Sequence, residues 1–254
     1  ELSLTQSLIL QKIMLVMLTN VEKVYFASPN IRLEMRIDGK EYKYVTEFMQ
    51  VDFEQRGATY EQMLDFVSML VGGLFDHLNA SCGEIIEKFR GEALPSIDGR
   101  LDVFDAGELL AKWNLSSTDE VERRLSREAG SKPFLLVNLK REAYDEYDEE
   151  SGRFLNYDVI LPPAGANPNP VEVLSGAKRT SSVERLEARM TELGYPLEYF
   201  APFFELFSQL SPDGVIDCAG GGFGVERFTY GVLGLPSIHE VYPFPRPAEG
   251  HIAI

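Results

Sequence analysis

The sequence predicts an α+β protein in which helices pack against a largely antiparallel sheet. Predicted strands outnumber the helices that parallel neighbours would need as crossovers. Two alternating runs, residues 31–38 and 41–54, meet at Asp38-Gly39, a dipeptide typical of tight antiparallel hairpins. With 254 residues and 44% hydrophobic content, the chain can bury one substantial core as a single domain.

The individual elements follow from periodicity and from residues that begin or end helices. The first helix, residues 4–20, has an almost continuous apolar surface and Thr5 as its N-cap. An amphipathic helix over residues 182–194 ends at Gly194. The acidic run at residues 144–153 is interpreted as a solvated loop. Further helices are predicted at residues 59–78, 107–113 and 117–130, and strands at residues 23–28, 133–139, 155–162, 171–176, 214–218 and 238–246.

Composition excludes several classes of function. A formal charge of −16 argues against binding of nucleic acid through a broad positively charged surface, although a local basic pocket remains compatible with it. No apolar run is long enough to cross a membrane, and two cysteines fit a reducing compartment, so we expect a cytoplasmic protein. The three histidines are far apart and show no zinc-ligand spacing.

The segment CAGGGFGVERF, residues 218–228, brings glycines next to a charged pair. It lacks the third glycine of the dinucleotide-binding pattern, and the chain contains no Walker-type Gly-Lys-Ser or Gly-Lys-Thr. A glycine-rich turn between a strand and a helix is therefore the simplest interpretation. Glu226-Arg227 falls in the first turn of the predicted helix, which places the arginine beside the glycines.

Charged and aromatic residues inside predicted strands indicate a binding site. Arg32 and Glu34 are two positions apart and share one face of a strand. Charges on one face of a sheet are usually its solvated side. Together, however, Arg32, Phe48, Glu172 and Arg227 supply two cations for phosphates, an aromatic surface for a base and a carboxylate for magnesium.

Four segments in this order resemble the class II aminoacyl-tRNA synthetases of the aspartyl and asparaginyl branch. They are LTQSLILQK, IRLE followed by TEFMQVDFE, VEVLSGAKR, and GGGFGVER. The resemblance covers nearly all of residues 1–254 as one catalytic domain, and it is greatest to the archaeal asparagine synthetases related to this branch. It implies an antiparallel catalytic sheet, ATP as substrate and Mg²⁺ as cofactor.

The resemblance also implies roles for residues that would hold ATP. Arg32 would bind the α-phosphate, and the Phe48 ring and the Arg227 guanidinium would sandwich the adenine, so both arginines would be catalytic. Glu34 would contact the base or the hairpin loop. Gly222 and Gly224 would let the backbone lie against the nucleotide. Magnesium would take oxygen ligands from Asp158, Glu172 and Ser175.

Substrate choice follows from positions that match the amino-acid site of aspartyl enzymes. Lys12 and Arg179 would clamp the side-chain carboxylate, Asp52 would bind the ammonium group, and Ser7 matches a neighbouring position. Two cations suit a carboxylate and leave the donors of an amide unpaired, so aspartate is favoured over asparagine. The alternatives without a role in substrate binding are that Lys12 extends its ammonium toward water and that Arg179 forms a surface ion pair. Ile9 departs from the glutamine of aspartyl enzymes.

Two absences from the family pattern shape the functional hypotheses. The first motif, which builds the dimer interface, is missing, so we expect an N-terminally truncated domain that would form a homodimer only with that segment. An anticodon-binding domain is also missing, which with the acidic charge makes tRNA an unexpected partner. The leading hypothesis is adenylation of aspartate followed by attack of ammonia to give asparagine. The alternatives are a catalytic fragment of an aspartyl- or asparaginyl-tRNA synthetase and a catalytically silent paralogue.

Overall fold

A computed structural model describes residues 7–32, 41–141 and 143–245. Its centre is a seven-stranded sheet in the order β1-β2-β9-β8-β7-β4-β3, and every described pair except β3–β4 is antiparallel. The predicted α+β class is confirmed. The strands of this sheet are β1 (Lys23–Ile31), β2 (Glu47–Arg56), β3 (Asp102–Asp105), β4 (Phe134–Val137), β7 (Asn156–Leu161), β8 (Val171–Lys178) and β9 (Cys218–Gly224).

The helices lie on both faces of the sheet. They are α1 (Ile9–Leu18), α2 (Tyr60–Arg90), α3 (Ala106–Trp113), α4 (Thr118–Ala129), α5 (Val183–Glu192), α6 (Ala201–Leu210) and α7 (Val225–Leu233). Helix α2 begins with a reciprocal cap between Thr59 and Gln62, and non-helical angles at Cys82 mark a kink. Thr5, the expected cap of the first helix, lies outside the described residues. None of the helices in the described part of the chain is long and apolar enough to cross a membrane.

The period of two along the strands separates a core face from a site face. On β2 the side chain of Phe53 packs in the main core with α2, whereas Asp52 and Glu54 point to the opposite face, toward Lys12 of α1. On that second face, α1, α5 and α6 form a separate apolar cluster. A third cluster packs α3 and α4 against β4 and β7.

Strand β2 lies within the second predicted arm of the hairpin, and β1 is one of the strands that pair with it. The pairing runs from Lys23 opposite Gln55 to Ile31 opposite Glu47. Arg32 follows the end of β1. Residues 33–40, which hold most of the predicted first arm and the expected turn at Asp38-Gly39, lie outside the described residues, so that part of the hairpin stays a prediction.

The glycine-rich segment is a central strand, so the prediction of a turn was wrong. Strand β9 lies between β2 and β8 and pairs with both. Its glycines are required by close packing: a Cβ on Gly220 would lie 2.2 Å from the carbonyl oxygen of Phe53. Neighbouring side chains occupy the space that side chains of β9 would otherwise fill.

Three further predictions were also wrong. Residues 214–217 are not a strand, and residues 238–241 form a single 3₁₀ turn rather than a strand. The acidic run contains a small hairpin of β5 (Tyr147–Asp148) and β6 (Arg153–Phe154). Asp145, at the start of that run, is 5% exposed. Ion pairs with arginines explain why a carboxylate from this acidic segment is buried.

Candidate active site

A cavity of about 450 Å³ opens on the sheet face opposite α2. Because side chains alternate along a strand, even-numbered positions of β2 and β9 line it together. Those positions are Phe48, Gln50, Asp52, Gly222 and Gly224. The structure thus brings the predicted hairpin residues and the glycine segment to one wall.

One end of the cavity carries the residues predicted to hold a nucleotide. The guanidinium carbon of Arg32 lies 4.9 Å from the centre of the Phe48 ring. Arg227 Nη1 lies 3.1 Å from Glu172 Oε1, and its guanidinium is 5.8 Å from the Tyr44 ring. The Phe48 ring is therefore covered by Arg32, and Arg227 contacts a carboxylate and Tyr44.

Glu226 and Arg227 have separate tasks at the start of α7. The Glu226 carboxylate accepts the backbone N–H of Met49, with distances of 2.9 and 3.0 Å to its two oxygens. This contact joins the first turn of α7 to β2 and fixes the direction of the helix. Arg227, one residue later, faces the cavity. The pair identified in the sequence thus combines an anchor with a cation for the site.

The three predicted magnesium ligands are not equally placed. Glu172 and Ser175, both on β8, line the cavity. Asp158 is 7% exposed and bonds Arg141 Nη1 at 2.5 Å, so it lies behind the wall. Burial raises the pKa of Asp158 to about 6; Arg141 opposes this shift, and Glu172 adds to it. No group of three or more metal-binding side chains occurs among the described residues.

Magnesium nevertheless fits the donors that face the cavity. In nucleotide sites this ion usually takes one or two protein oxygens and completes its shell with phosphates and water. Glu172 and Ser175 offer a carboxylate and a hydroxyl to the cavity, and Glu172 lies beside Arg227. The carboxylate is partly exposed and accessible to an ion, since its side chain has 39% relative exposure.

Two buried ion pairs form the other end of the cavity. Lys12 Nζ donates to Asp52 Oδ1 at 2.7 Å and to the carbonyl of Gly221 at 2.9 Å. Arg179 donates from Nε and Nη2 to the two oxygens of Glu54, each at 2.9 Å. Lys12 and Arg179 are 1% and 3% exposed, so neither is a surface cation without a role in the site. Burial lowers the pKa of Lys12, although Glu54 and Asp52 act in the opposite direction.

Polar groups at this end are left for a ligand. Asp52 Oδ2 is buried without a hydrogen-bond donor among the described residues. Lys12 uses two of its three N–H groups on described acceptors, and Arg179 Nη1 lies 4.0 Å from Asp145 Oδ1, too far for a hydrogen bond. A buried carboxylate oxygen without a donor is costly unless a ligand supplies one. One acceptor and two cationic donors therefore face the cavity.

Of the remaining predicted residues, Ser7, Gly222 and Gly224 line the cavity, whereas Glu34 is not described. Ser7 lines the cavity next to α1 and accepts the N–H of Ile9 at 3.4 Å. A Cβ on Gly222 would lie 2.0 Å from Gln50 Nε2, whereas one on Gly224 would make an ordinary contact of 3.5 Å with Arg227. Glu34 lies outside the described residues, so its expected contact with the base stays a prediction.

Sequence reasoning missed Arg141, which lies in the wall between the two ends. Its guanidinium donates to Asp145 at 3.1 Å, to Asp158 at 2.5 Å and to the carbonyl of Gly176 at 3.0 Å. These carboxylates raise the pKa of Arg141 despite its burial. The segment carried only a weak signal, an arginine four residues before an aspartate outside any predicted element. Gln50, Tyr44 and Asp145 also line the cavity and were not predicted.

Comparison with known proteins identifies the fold family. The sequence model described as "tRNA synthetases class II (D, K and N)" matches residues 2–248. The chain belongs to this family. The resemblance drawn from its four segments is confirmed.

Two curated relatives are asparagine–tRNA ligases. The chain is 27% identical over 255 aligned positions to the enzyme of Mannheimia succiniciproducens and 25% identical over 250 to that of Aliivibrio fischeri. Each alignment covers 89% of this chain and 51% of the relative. The chain therefore spans about half the length of these relatives.

Solved structures of family members share the fold. Asparaginyl-tRNA synthetase from Pyrococcus horikoshii, complexed with asparaginyl-adenylate, superposes with a TM-score of 0.80 at 20% identity. That alignment covers 97% of this chain and 57% of the solved one. Aspartyl tRNA synthetase from Entamoeba histolytica gives 0.77 at 24% identity, covering 95% and 51%. At these identities the comparison establishes the architecture.

Proposed function

We propose that this family member uses ATP to activate aspartate as aspartyl-adenylate. An oxygen of the substrate carboxylate attacks the α-phosphorus of ATP, the bond to the bridging oxygen breaks, and pyrophosphate leaves. Part of the support is the family, whose named relatives are ligases and one of whose solved structures holds an aminoacyl-adenylate. The rest is the arrangement of polar groups in the cavity.

The observation that carries the proposal is the pairing of two unlike ends in one cavity. Arg32, Phe48 and Arg227 offer two cations and an aromatic ring at one end. At the other end, Lys12 and Arg179 have N–H groups left for an anionic side chain, and Asp52 Oδ2 has no hydrogen-bond donor among the described residues. Aspartate carries both of these groups, and ATP carries the base and phosphates.

The residues in the cavity act by binding and electrostatics, without a covalent nucleophile. We infer that Arg32 stabilises the charge that develops on the α-phosphate during attack. Arg227 leaves Glu172 and covers the adenine opposite Phe48, once Arg32 has moved from that ring. Glu172 and Ser175 would hold Mg²⁺, which neutralises charge on the leaving pyrophosphate when bound. Buried ion pairs hold Lys12 and Arg179 in place while the substrate binds.

The second substrate is either ammonia or tRNA. Sequence reasoning favoured ammonia, which would displace AMP from the adenylate to give asparagine. The names of the relatives do not support that choice, because they are tRNA ligases. We therefore propose a tRNA hydroxyl as the acceptor and keep ammonia as the alternative to be tested beside it.

Asparagine is a second candidate for the activated amino acid. Asp52 Oδ2 can accept an amide N–H as well as an ammonium N–H, and the relatives named above are asparagine–tRNA ligases. In that binding mode the amide oxygen would face Lys12 or Arg179. Aspartate remains the better fit, because its side-chain carboxylate accepts from both cations and presents no N–H to them.

The deciding experiment is ATP–pyrophosphate exchange with each amino acid, followed by product analysis. We expect magnesium-dependent exchange with aspartate, little with asparagine, and loss of both on Arg32→Ala substitution. Exchange with asparagine alone would overturn the assignment of substrate. Radiolabelled aspartate is then offered with ammonium or with tRNA, to distinguish free asparagine from charged tRNA. No exchange with any amino acid would favour the silent paralogue.

We also propose a homodimer. Strand β1 is the outer strand of the sheet, and its alternate residues Tyr25, Ala27 and Pro29 are exposed. The Tyr25 side chain is 82% exposed, which makes this edge an apolar surface suited to contact with another chain. Light scattering of the chain extended at its N-terminus by the family's first motif tests this, and a monomer at all concentrations would contradict it.

A further inference from the structure

Helix α4 presents three arginines on the face directed away from the core. Val121 and Leu125 are buried in the cluster beneath the helix. At 3.6 residues per turn, Arg123, Arg124 and Arg127 lie on the opposite side, and all three are exposed. They line a shallow surface groove with Leu115, Glu120 and Glu128. We refer to Arg123, Arg124 and Arg127 as the arginine face.

The arginine face differs from the other exposed arginines of this acidic protein. Arg100 contacts Glu61 and Asp65, Arg153 contacts Asp105 and Glu108, and Arg185 contacts Glu146 and Glu149. Arg123 and Arg127 make neither an ion pair nor a hydrogen bond with any part of the chain that the structure describes. Two cations without acidic partners are notable on a chain of formal charge −16.

The acidic neighbours of Arg123 and Arg127 are engaged by other residues. The Glu120 carboxylate accepts N–H and hydroxyl groups of Ser116 and Ser117 at the start of α4. Glu128 lies 3.7 Å from Arg124, which also stacks at 4.2 Å over the ring of Trp113. The stacked Arg124 is held in one orientation, and Arg123 and Arg127 supply the available positive charge.

The arginine face lies beside the active-site cavity. Asp119, at the start of α4, contacts Lys43 at 3.5 Å, and Lys43 lines the cavity. Glu122 on the same helix interacts electrostatically with Glu172 and Asp158. One side of α4 therefore borders the phosphate end of the site, and the arginine face is the next side around the helix.

We propose that the arginine face binds the phosphate backbone of an RNA whose end reaches the cavity. This inference rests on the tRNA form of the proposed function. An RNA acceptor must place its terminal hydroxyl in the cavity while its phosphates cross the surrounding surface. Guanidinium groups pair with phosphate through two parallel hydrogen bonds. The chain as a whole is negatively charged and would repel phosphates. On α4, however, Arg123 and Arg127 have no acidic partners among the described residues and can pair with them.

An acidic protein is the competing partner for the same charges. RNA is favoured because of the position beside the cavity and the proposed acceptor. The spacing of the two arginines also suits contact with a short stretch of backbone, because Arg123 and Arg127 are one helical turn apart, about 6 Å along the axis. Screening confines such a contact to the patch itself, since charges further than about 8 Å away are largely screened at physiological salt.

The test compares two double variants of the full chain. Arg123→Gln/Arg127→Gln removes the two unpaired cations, and the control Arg185→Gln/Arg189→Gln removes the same charge from α5. Each is mixed with labelled tRNA-Asn and tRNA-Asp transcripts at several salt concentrations. We expect at least tenfold weaker tRNA binding for the first variant, a salt slope smaller by about 2, and unchanged ATP–pyrophosphate exchange. The control should bind as the original chain does.

Other outcomes separate this inference from the proposed function. Equal tRNA binding by the first variant and the original chain overturns the inference, as does tighter binding of a poly-glutamate peptide than of tRNA. Exchange with aspartate but no tRNA binding at low salt overturns it while activation stands. Arginine-dependent tRNA binding without any exchange supports the RNA surface and rejects adenylate formation. Thermal melting of both variants checks that each is folded.

Discussion

Arg227 Nη1 and Glu172 Oε1 lie 3.1 Å apart in the lining of the cavity. In the proposed function they serve different ligands, because Arg227 covers the adenine and Glu172 holds magnesium. That proposal therefore requires the ion pair to separate when ATP and magnesium bind.

Arg227→Lys should weaken ATP binding although it keeps the positive charge. A lysine does not present the planar guanidinium that stacks on a base, and a desolvated cation–π contact is worth about 2 kcal/mol. We expect the KM for ATP in the exchange assay to rise by about tenfold or more, with the KM for aspartate little changed. Arg189→Lys on α5 is the control, and an equal effect of both substitutions would contradict this role.

The activity should decline at alkaline pH because Lys12 loses its proton. Burial lowers the pKa of Lys12 below the ordinary lysine range, so the ammonium deprotonates before an exposed lysine would. Since the charged form is the one that binds the substrate carboxylate, kcat/KM for aspartate falls as pH rises through that pKa. The KM for ATP provides the internal control. A kcat/KM that stays constant up to about pH 10 would rule this out.

The same shift has the opposite effect on stability. Between the lowered pKa of folded Lys12 and its ordinary value in the unfolded chain, the unfolded state binds more protons. Stability contributed by this group therefore rises with pH in that window, while substrate binding falls. Urea unfolding over the same pH range distinguishes loss of charge at the site from alkaline denaturation.

The sequence allowed the site to be located more reliably than its internal contacts. Arg32, Phe48 and Arg227 stood in recognisable segments, and the structure brings them to one cavity. The acidic partners of Lys12 and Arg179 were not predicted as partners, because Asp52 is 40 positions from Lys12 and Glu54 is 125 from Arg179. Sequence periodicity shows which face a residue occupies but does not show which distant charge will lie opposite.

Two errors in the fold have specific physical causes. The acidic run at residues 144–153 was interpreted as a solvated loop because of its charge, but ion pairs with arginines bury Asp145. Glycine is unfavourable in strands, so β9 was interpreted as a turn. In the folded chain, Gln50, Phe53 and Glu54 fill the space beside its glycines, and a side chain there would clash with them. Tertiary packing outweighs local propensity at both positions.

Arg141→Gln should destabilise the fold because it removes a cation shared by two buried carboxylates. Asp145 and Asp158 are 5% and 7% exposed and both bond this guanidinium. Removing one partner of a buried pair costs about 3–5 kcal/mol of unfolding free energy. Adding Asp158→Asn should restore part of it, as measured by urea unfolding. Arg153→Gln, at a side chain 47% exposed, should cost under about 1 kcal/mol.

If the double variant is no more stable than Arg141→Gln alone, the charge of Asp158 is not what Arg141 compensates. The contact with Asp145 would then be the important one, and Arg141→Gln/Asp145→Asn tests it in the same assay. Because Asp145 also lies 4.0 Å from Arg179, this second pair would connect Arg141 to the amino-acid end.

Gly220→Ala should disturb both the sheet and the amino-acid end of the site. A Cβ at Gly220 would lie 2.2 Å from the carbonyl oxygen of Phe53 and 2.4 Å from Glu54 Oε2, so backbone and carboxylate must both move. Overpacking of this kind costs about 1–3 kcal/mol, which urea unfolding measures. Since Glu54 holds Arg179 by two hydrogen bonds, the KM for aspartate should also rise.

Gly224→Ala is the matched control on the same strand. Its Cβ would make an ordinary contact of 3.5 Å with Arg227, and its backbone angles are ones that alanine adopts freely. We expect its unfolding free energy to change by less than about 0.5 kcal/mol. If both variants lose equal stability, the glycines are not required by packing against Phe53 and Glu54. If Gly220→Ala is destabilised but binds aspartate normally, the position of Arg179 does not depend on Glu54.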